Sequence, residues 1–215
     1  VYALIMIVLI GTSIAFTFIG GQVAVIVTDF IQGTFCNVVL VIIGGYLLLS
    51  YFDWGQIMDA AAEAPANASL INPRNTANTD NFTPAFFFIL AFRQVYQALA
   101  WQGNQGYFSA AKTPHDARMG KIFGSYRVII QTVPILLLAL GAYTVLKHAD
   151  FRDVGESINA SLSTVQSAQI RSQLTVSVAA SKILPLGLLG LFGAVMFCAF
   201  VSTHDTYLHS WGSIF

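Results

Sequence analysis

The chain has 215 residues, of which 56% are apolar and 9% charged, and ten Lys and Arg offset ten Asp and Glu to a formal net charge of zero. Soluble domains carry about 25% charged residues, so this composition, with a mean hydropathy of +0.69, excludes an ordinary soluble domain and describes a membrane protein. Zero net charge gives no reason to expect nucleic acid as a partner.

Val1 lies inside an apolar run with no charged residues before it, so the N-terminus is not expected to be a signal peptide, and the chain is expected to be a piece cut at both ends. Cys36 and Cys198 fall within apolar spans and read as small core residues. The expected fold is all-α and polytopic, one transmembrane domain over 1–215 with spans at about 1–19, 23–49, 83–108, 122–146 and 183–208. The first span ends at Gly20 and Gly21, which leave almost no linker before the second. That second span opens on polar residues, Gln22, Thr28, Asp29 and Gln32, before turning apolar from Phe35 to Leu49.

Between Ser50 and Phe82, acids and turn formers mark a water-facing loop. Span three is interrupted by Arg93, Gln94 and Gln97, and its end, Trp101 to Tyr107, holds two glycines and three amides, so it is not a plain lipid-facing helix. Lys112 to Lys121 reads as a compact basic loop, and span four carries Pro134 near its middle. The polar stretch from Lys147 to Lys182 is expected to hold an external helix. Basic residues in short loops mark the cytoplasm, which puts the Lys112–Lys121 loop, the Gly20–Gly21 turn and the C-terminal end inside, and the Ser50–Phe82 loop outside. Asn67, Asn81 and Asn159 each begin an Asn-x-(Ser/Thr) triplet on loops placed outside.

Span five runs from Ile183 into the polar stretch Ser202, Thr203, His204, Asp205, Thr206. A helix rising 1.5 Å per residue reaches Ser202 after roughly 28 Å, about the depth of a bilayer core. Paired hydroxyls there, with a carbonyl one turn earlier, are hard neutral ligands suited to a small alkali cation. The alternative is that both hydroxyls bond back to the preceding turn of their own helix.

Three stretches carry a resemblance. Phe16 to Ala24 contains a Gly-Gly signature followed by Thr28, Asp29, Phe30, Ile31, Gln32. Trp101, Gln102, Gly103, Asn104, Gln105 precedes Ala110, Ala111, Lys112. Leu184, Pro185, Leu186, Gly187, Leu188, Leu189, Gly190 leads to Ser202 through Thr206. In this order they resemble the sodium:solute symporters, the family of sodium-coupled sugar, proline and pantothenate carriers. The resemblance implies part of a ten-helix inverted-repeat transporter core, helices four to eight of it, with solute bound at broken helices near the midplane.

It further implies sodium ligands at the Ala199 carbonyl and the Ser202 and Thr203 hydroxyls, and Asp29 on the path by which sodium leaves inward. Asp29 has a second reading as a helix N-terminal acid capping the first turn. Gln97, with Arg93, Trp101 and Asn104, falls on the implied solute surface, while Ala100 stands where galactose carriers have a gating tyrosine. Arg93 reads more readily as snorkelling to the outer interface or pairing with an acid on another helix than as a ligand for a carboxylate solute. Arg127 is expected at the cytoplasmic headgroups, and His204 and His209 read as polar groups near an interface rather than a metal site or proton relay.

The expected function is sodium-coupled symport of a small polar solute (sugar, amino acid or carboxylate) across the plasma membrane by alternating access. No enzyme activity and no cofactor are expected beyond sodium as coupling ion, and the partners are sodium, the solute and the bilayer. The alternatives are a membrane sensor or scaffold with a transporter fold, and a proton-coupled carrier using Asp29, Asp205 or His204.

Overall fold

The computed structural model describes residues 2–65, 69–71, 84–100 and 105–212. Every regular element among them is helical. They are α1 (Tyr2–Tyr46), running into a π-turn at Leu47–Tyr51, then α2 (Trp54–Ala62), α3 (Pro84–Ala100) and α4 (Gln105–Ser109). After these come α5 (Pro114–Lys147), a 3-10 turn at Ala149–Phe151, α6 (Arg152–Ser163), α7 (Ala168–Ile183) and α8 (Leu186–Gly212). Among the described residues three helical stretches are long and apolar enough to cross a membrane: Ala3–Tyr51, Pro114–Lys147 and Leu186–Gly212.

The first of these has 49 residues, about 74 Å of helix and more than two bilayer cores in length. It is divided at Gly21, whose φ of 57° and ψ of −160° leave the helical region. That backbone is open to glycine and strained for any residue with a Cβ. Gly20 beside it is equally constrained, because a Cβ there would collide with Ala24.

The chain forms two compact units. The first comprises Val1–Ile42, Ala100–Thr132 and Gly190–Phe215. In it the second half of α1 lies against α8 in antiparallel register: the Cys36 thiol reaches the Val195 carbonyl at 3.9 Å, and seven residues away on each helix Asp29 meets Ser202. A spacing of seven is two helical turns, so successive contacts fall on one stripe of each helix. Asp29 sits in the interior of α1, eight residues past Gly21, so it caps no helix. The exposed Arg127 guanidinium lies against Gly33, where a Cβ would be 2.7 Å from Nη2.

Two boundaries differ from the sequence expectation. The Lys112–Lys121 segment is largely the start of α5, because Thr113 accepts from the Asp116 amide (3.2 Å) and donates to its carboxylate (2.7 Å). With Pro114 in the first turn this is a strong helix start. At the other end α8 begins at Leu186, not Ile183, since Pro185 forces Leu184 to be extended (ψ 134°) and α7 stops at Ile183.

The second unit comprises Ile43–Leu99 and Val133–Leu189. The π-turn closes with the Phe52 amide on the Leu47 carbonyl at 3.0 Å, and turns the chain into an aromatic knot. Tyr51 stacks on Phe151 with centroids 5.7 Å apart, and Phe52 meets Phe151 edge-on at 5.2 Å. Asp53 and Gln56 form a capping box for α2, and the Gln56 amide reaches Asp150 at 2.9 Å. The polar stretch expected to hold one external helix forms two, α6 and α7, with Ser167 capping the second. Asn159 lies within α6, whereas Asn67 and Asn81 lie outside the described residues.

α6 buries Gly155, Ile158 and Leu162 on one face. At Gly155 a Cβ would stand 2.8 Å from the Val145 carbonyl. Backbone cannot swing aside as a side chain can, so overpacking here costs about 1–3 kcal/mol. Gly155→Ala should therefore lower the thermal unfolding midpoint of the solubilised protein, while Gly45→Ala, with nothing within 4 Å of its Cβ position, should not lower it through a clash.

Candidate functional site

Asp29 is 8% exposed and is the one charged residue of α1. A carboxylate in such a place needs donors, because an unpaired buried charge is among the costliest features a fold can hold. Ser202 on α8 donates to Oδ1 at 2.6 Å. Thr206, one turn further along α8, lies 3.1 Å from Oδ2. Tyr107 on α4 donates to the same Oδ2, and its oxygen is 3.1 Å from the Thr206 hydroxyl. Three hydroxyls from two elements thus converge on one acid, all within the first unit.

Each element supplies its donor through simple geometry. Ser202 and Thr206 are four residues apart and so share a face of α8. That face meets Asp29 because of the antiparallel register. Thr28, next to Asp29, turns away and bonds the Ala24 carbonyl at 2.8 Å. Beside the cluster lies a void of only about 10 Å³, lined in part by Gln22, Ile26, Tyr107, Thr206 and His209, at the threshold for one water molecule. A larger concavity of about 680 Å³ runs along the first part of α1, from Ile7 to Thr28. It is apolar and contains none of the predicted site residues.

The predicted residues separate into those the structure brings together and those it does not. Asp29 and Ser202 are in direct contact. Thr203 is exposed and bonds the Ala199 carbonyl of its own helix at 2.7 Å. Of the two alternatives for the hydroxyl pair, back-bonding therefore holds for Thr203 and not for Ser202. Arg93 and Gln97 are exposed on α3, and Trp101 and Asn104 lie outside the described residues. His204 stacks on Phe200 at 3.9 Å and its Nδ1 is 2.8 Å from the Phe200 carbonyl. Among the described residues no group of three His, Cys, Asp or Glu converges as a metal site.

Sequence reasoning missed Tyr107 and Thr206. A signal for Thr206 existed in its four-residue spacing from Ser202. Asp205 was considered only as a proton carrier, and the structure buries it completely beside an equally buried Ser13. Among the described residues neither carboxylate oxygen, nor the Ser13 hydroxyl beside them, meets a partner at full hydrogen-bond geometry.

Long apolar helices, a broken first helix and an oxygen cluster inside the packed pair define a polytopic membrane protein with a polar site within its helices. The profile of the sodium:solute symporter family matches residues 1–215, and the chain belongs to that family, whose members are sodium-coupled solute transporters. Comparison with curated proteins and with solved structures gives no match.

The geometry separates the two adjacent hydroxyls in stability. Ser202→Ala removes a hydrogen bond to a charged, buried acceptor, worth about 1.5–3 kcal/mol. Thr203→Val removes only a bond within its own turn. Thermal unfolding of the solubilised protein should show a clear drop for the first and little change for the second; equal drops would show that the Asp29 contact does not hold the helices together.

Proposed function

We propose that the protein is a sodium-coupled symporter that carries a small polar solute (a sugar, an amino acid or a carboxylate) inward across the plasma membrane by alternating access, with this chain supplying five spans of the transporter core. The observation that carries this reading is the hydrogen bond from Ser202 to Asp29. A hydroxyl has one proton and two lone pairs, so Ser202 can keep its proton on Asp29 and still offer oxygen to a cation. Sodium binds at Ser202, Thr203 and the Ala199 carbonyl, with Thr203 turning from its back-bond to do so. It then passes to Asp29, which is already in contact with the first ligand. Arg93, Gln97, Trp101 and Asn104 are the residues we assign to solute recognition.

The test is radiolabelled uptake in proteoliposomes from pooled sugars, amino acids and carboxylates, with and without an inward sodium gradient. Uptake should require sodium and fall at least about tenfold in the Ser202→Ala, Thr203→Ala double variant, on the scale of losing two or more ligand interactions. Asp29→Asn should keep solute uptake measurable while raising the sodium concentration needed for half-maximal rate. Uptake indifferent to sodium and abolished by collapsing the pH gradient would instead favour a proton-coupled carrier, for which the fully buried Asp205 is the group to examine.

A further inference from the structure

We infer that Tyr107 is the plug of the cation path: its phenol holds the place on Asp29 that a departing cation takes, and the path opens only when α4 withdraws it. The inference rests on the sodium-symport reading and adds to it a residue outside the sodium ligands.

The phenol touches both the acid and Thr206, so it occupies the Oδ2 side of a carboxylate whose Oδ1 is held by Ser202. The donors differ in what they can do when a cation arrives. Serine and threonine hydroxyls rotate about a single bond and can turn a lone pair toward the ion. A phenolic O–H is conjugated with its ring and prefers the ring plane, so Tyr107 gives way chiefly by moving the whole ring. The adjacent void of about 10 Å³ is at the limit for a single water, so a hydrated ion does not fit beside the phenol. An ion that takes Oδ2 displaces the phenol oxygen from it.

The segment that bears it is suited to such a movement. α4 is five residues long, Gln105–Ser109, and is followed by a turn before α5. It continues directly from Trp101 and Asn104, the stretch proposed to contact solute, so Tyr107 is three residues beyond Asn104 in the chain.

The test uses sodium alone, since the solute is unidentified. Sodium binding to the purified full chain is titrated with ²²Na, choline keeping ionic strength constant, and ²²Na efflux from loaded proteoliposomes is followed without solute. Tyr107→Phe keeps the ring and removes the donor. It should lower the half-saturating sodium concentration about threefold to tenfold, within the ordinary range of a site-to-site coupling, and speed solute-free efflux by a similar factor. Tyr107→His, which restores a ring donor, should move both values back toward those of the unaltered protein. Packing damage alone weakens sodium binding, so tighter binding is a result that a merely structural tyrosine does not produce. If Tyr107→Phe does not fold, Thr206→Val removes the second anchor of the phenol and should shift both readouts in the same direction. Half-saturation unchanged or raised in a folded variant, or efflux no faster, overturns the inference while leaving the symport reading in place. An unaltered protein that does not respond to sodium overturns both.

Discussion

A carboxylate inside an apolar helix cannot be left without donors, and the way Asp29 finds them sets how the first unit is built. Lipid offers nothing to a charged oxygen, so the donors must come from the protein. Ser202, Thr206 and Tyr107 come from two different elements, and each contact ties that element to α1. The acid is therefore both the most expensive residue in the helix and the point that fixes where its neighbours sit. Removing the donors separately affects different things: one holds α8 in register, another ties α4 to the acid.

The composition and the apolar runs made the helical membrane fold legible, because twenty or so residues without charge have few other solutions. The break at Gly20 and Gly21 was legible too, since a pair of glycines inside an apolar run marks a backbone that side chains would not tolerate. The start of α5 was less so. Lys112 to Lys121 looks like a loop when read by charge, but the Thr113, Pro114, Asp116 pattern is a helix start, and capping chemistry outweighed polarity. Likewise the edge of α8 follows Pro185 rather than the return of hydrophobicity at Ile183.

The site was legible only in part, for a reason that lies in distance along the chain. Ser202 and Thr203 stand out as adjacent hydroxyls, but adjacent residues on a helix point about 100° apart, so the packing of α8 uses them differently. One faces Asp29 and the other bonds back to Ala199. Which does which depends on rotation about the helix axis, and a motif does not specify that. Tyr107 is 78 residues from Asp29, and nothing in its neighbours Gly106 and Phe108 distinguishes it from an ordinary membrane aromatic.

The seven-residue spacing of the contacts between α1 and α8 limits the kinds of motion the pair can make. Sliding α8 by one residue moves it about 1.5 Å and turns its side chains by about 100°, which would take Ser202 away from Asp29 and Val195 from Cys36 together. A shift of one turn, about 5.4 Å, brings neighbouring residues of the same face round, and a whole heptad, about 10.5 Å, restores the stripe most closely. Sliding between the two helices is therefore stepwise, by whole turns rather than by single residues. Any bending in this part of the chain is left to the places where the helical ladder is already interrupted, of which Gly21 is the nearest to the acid.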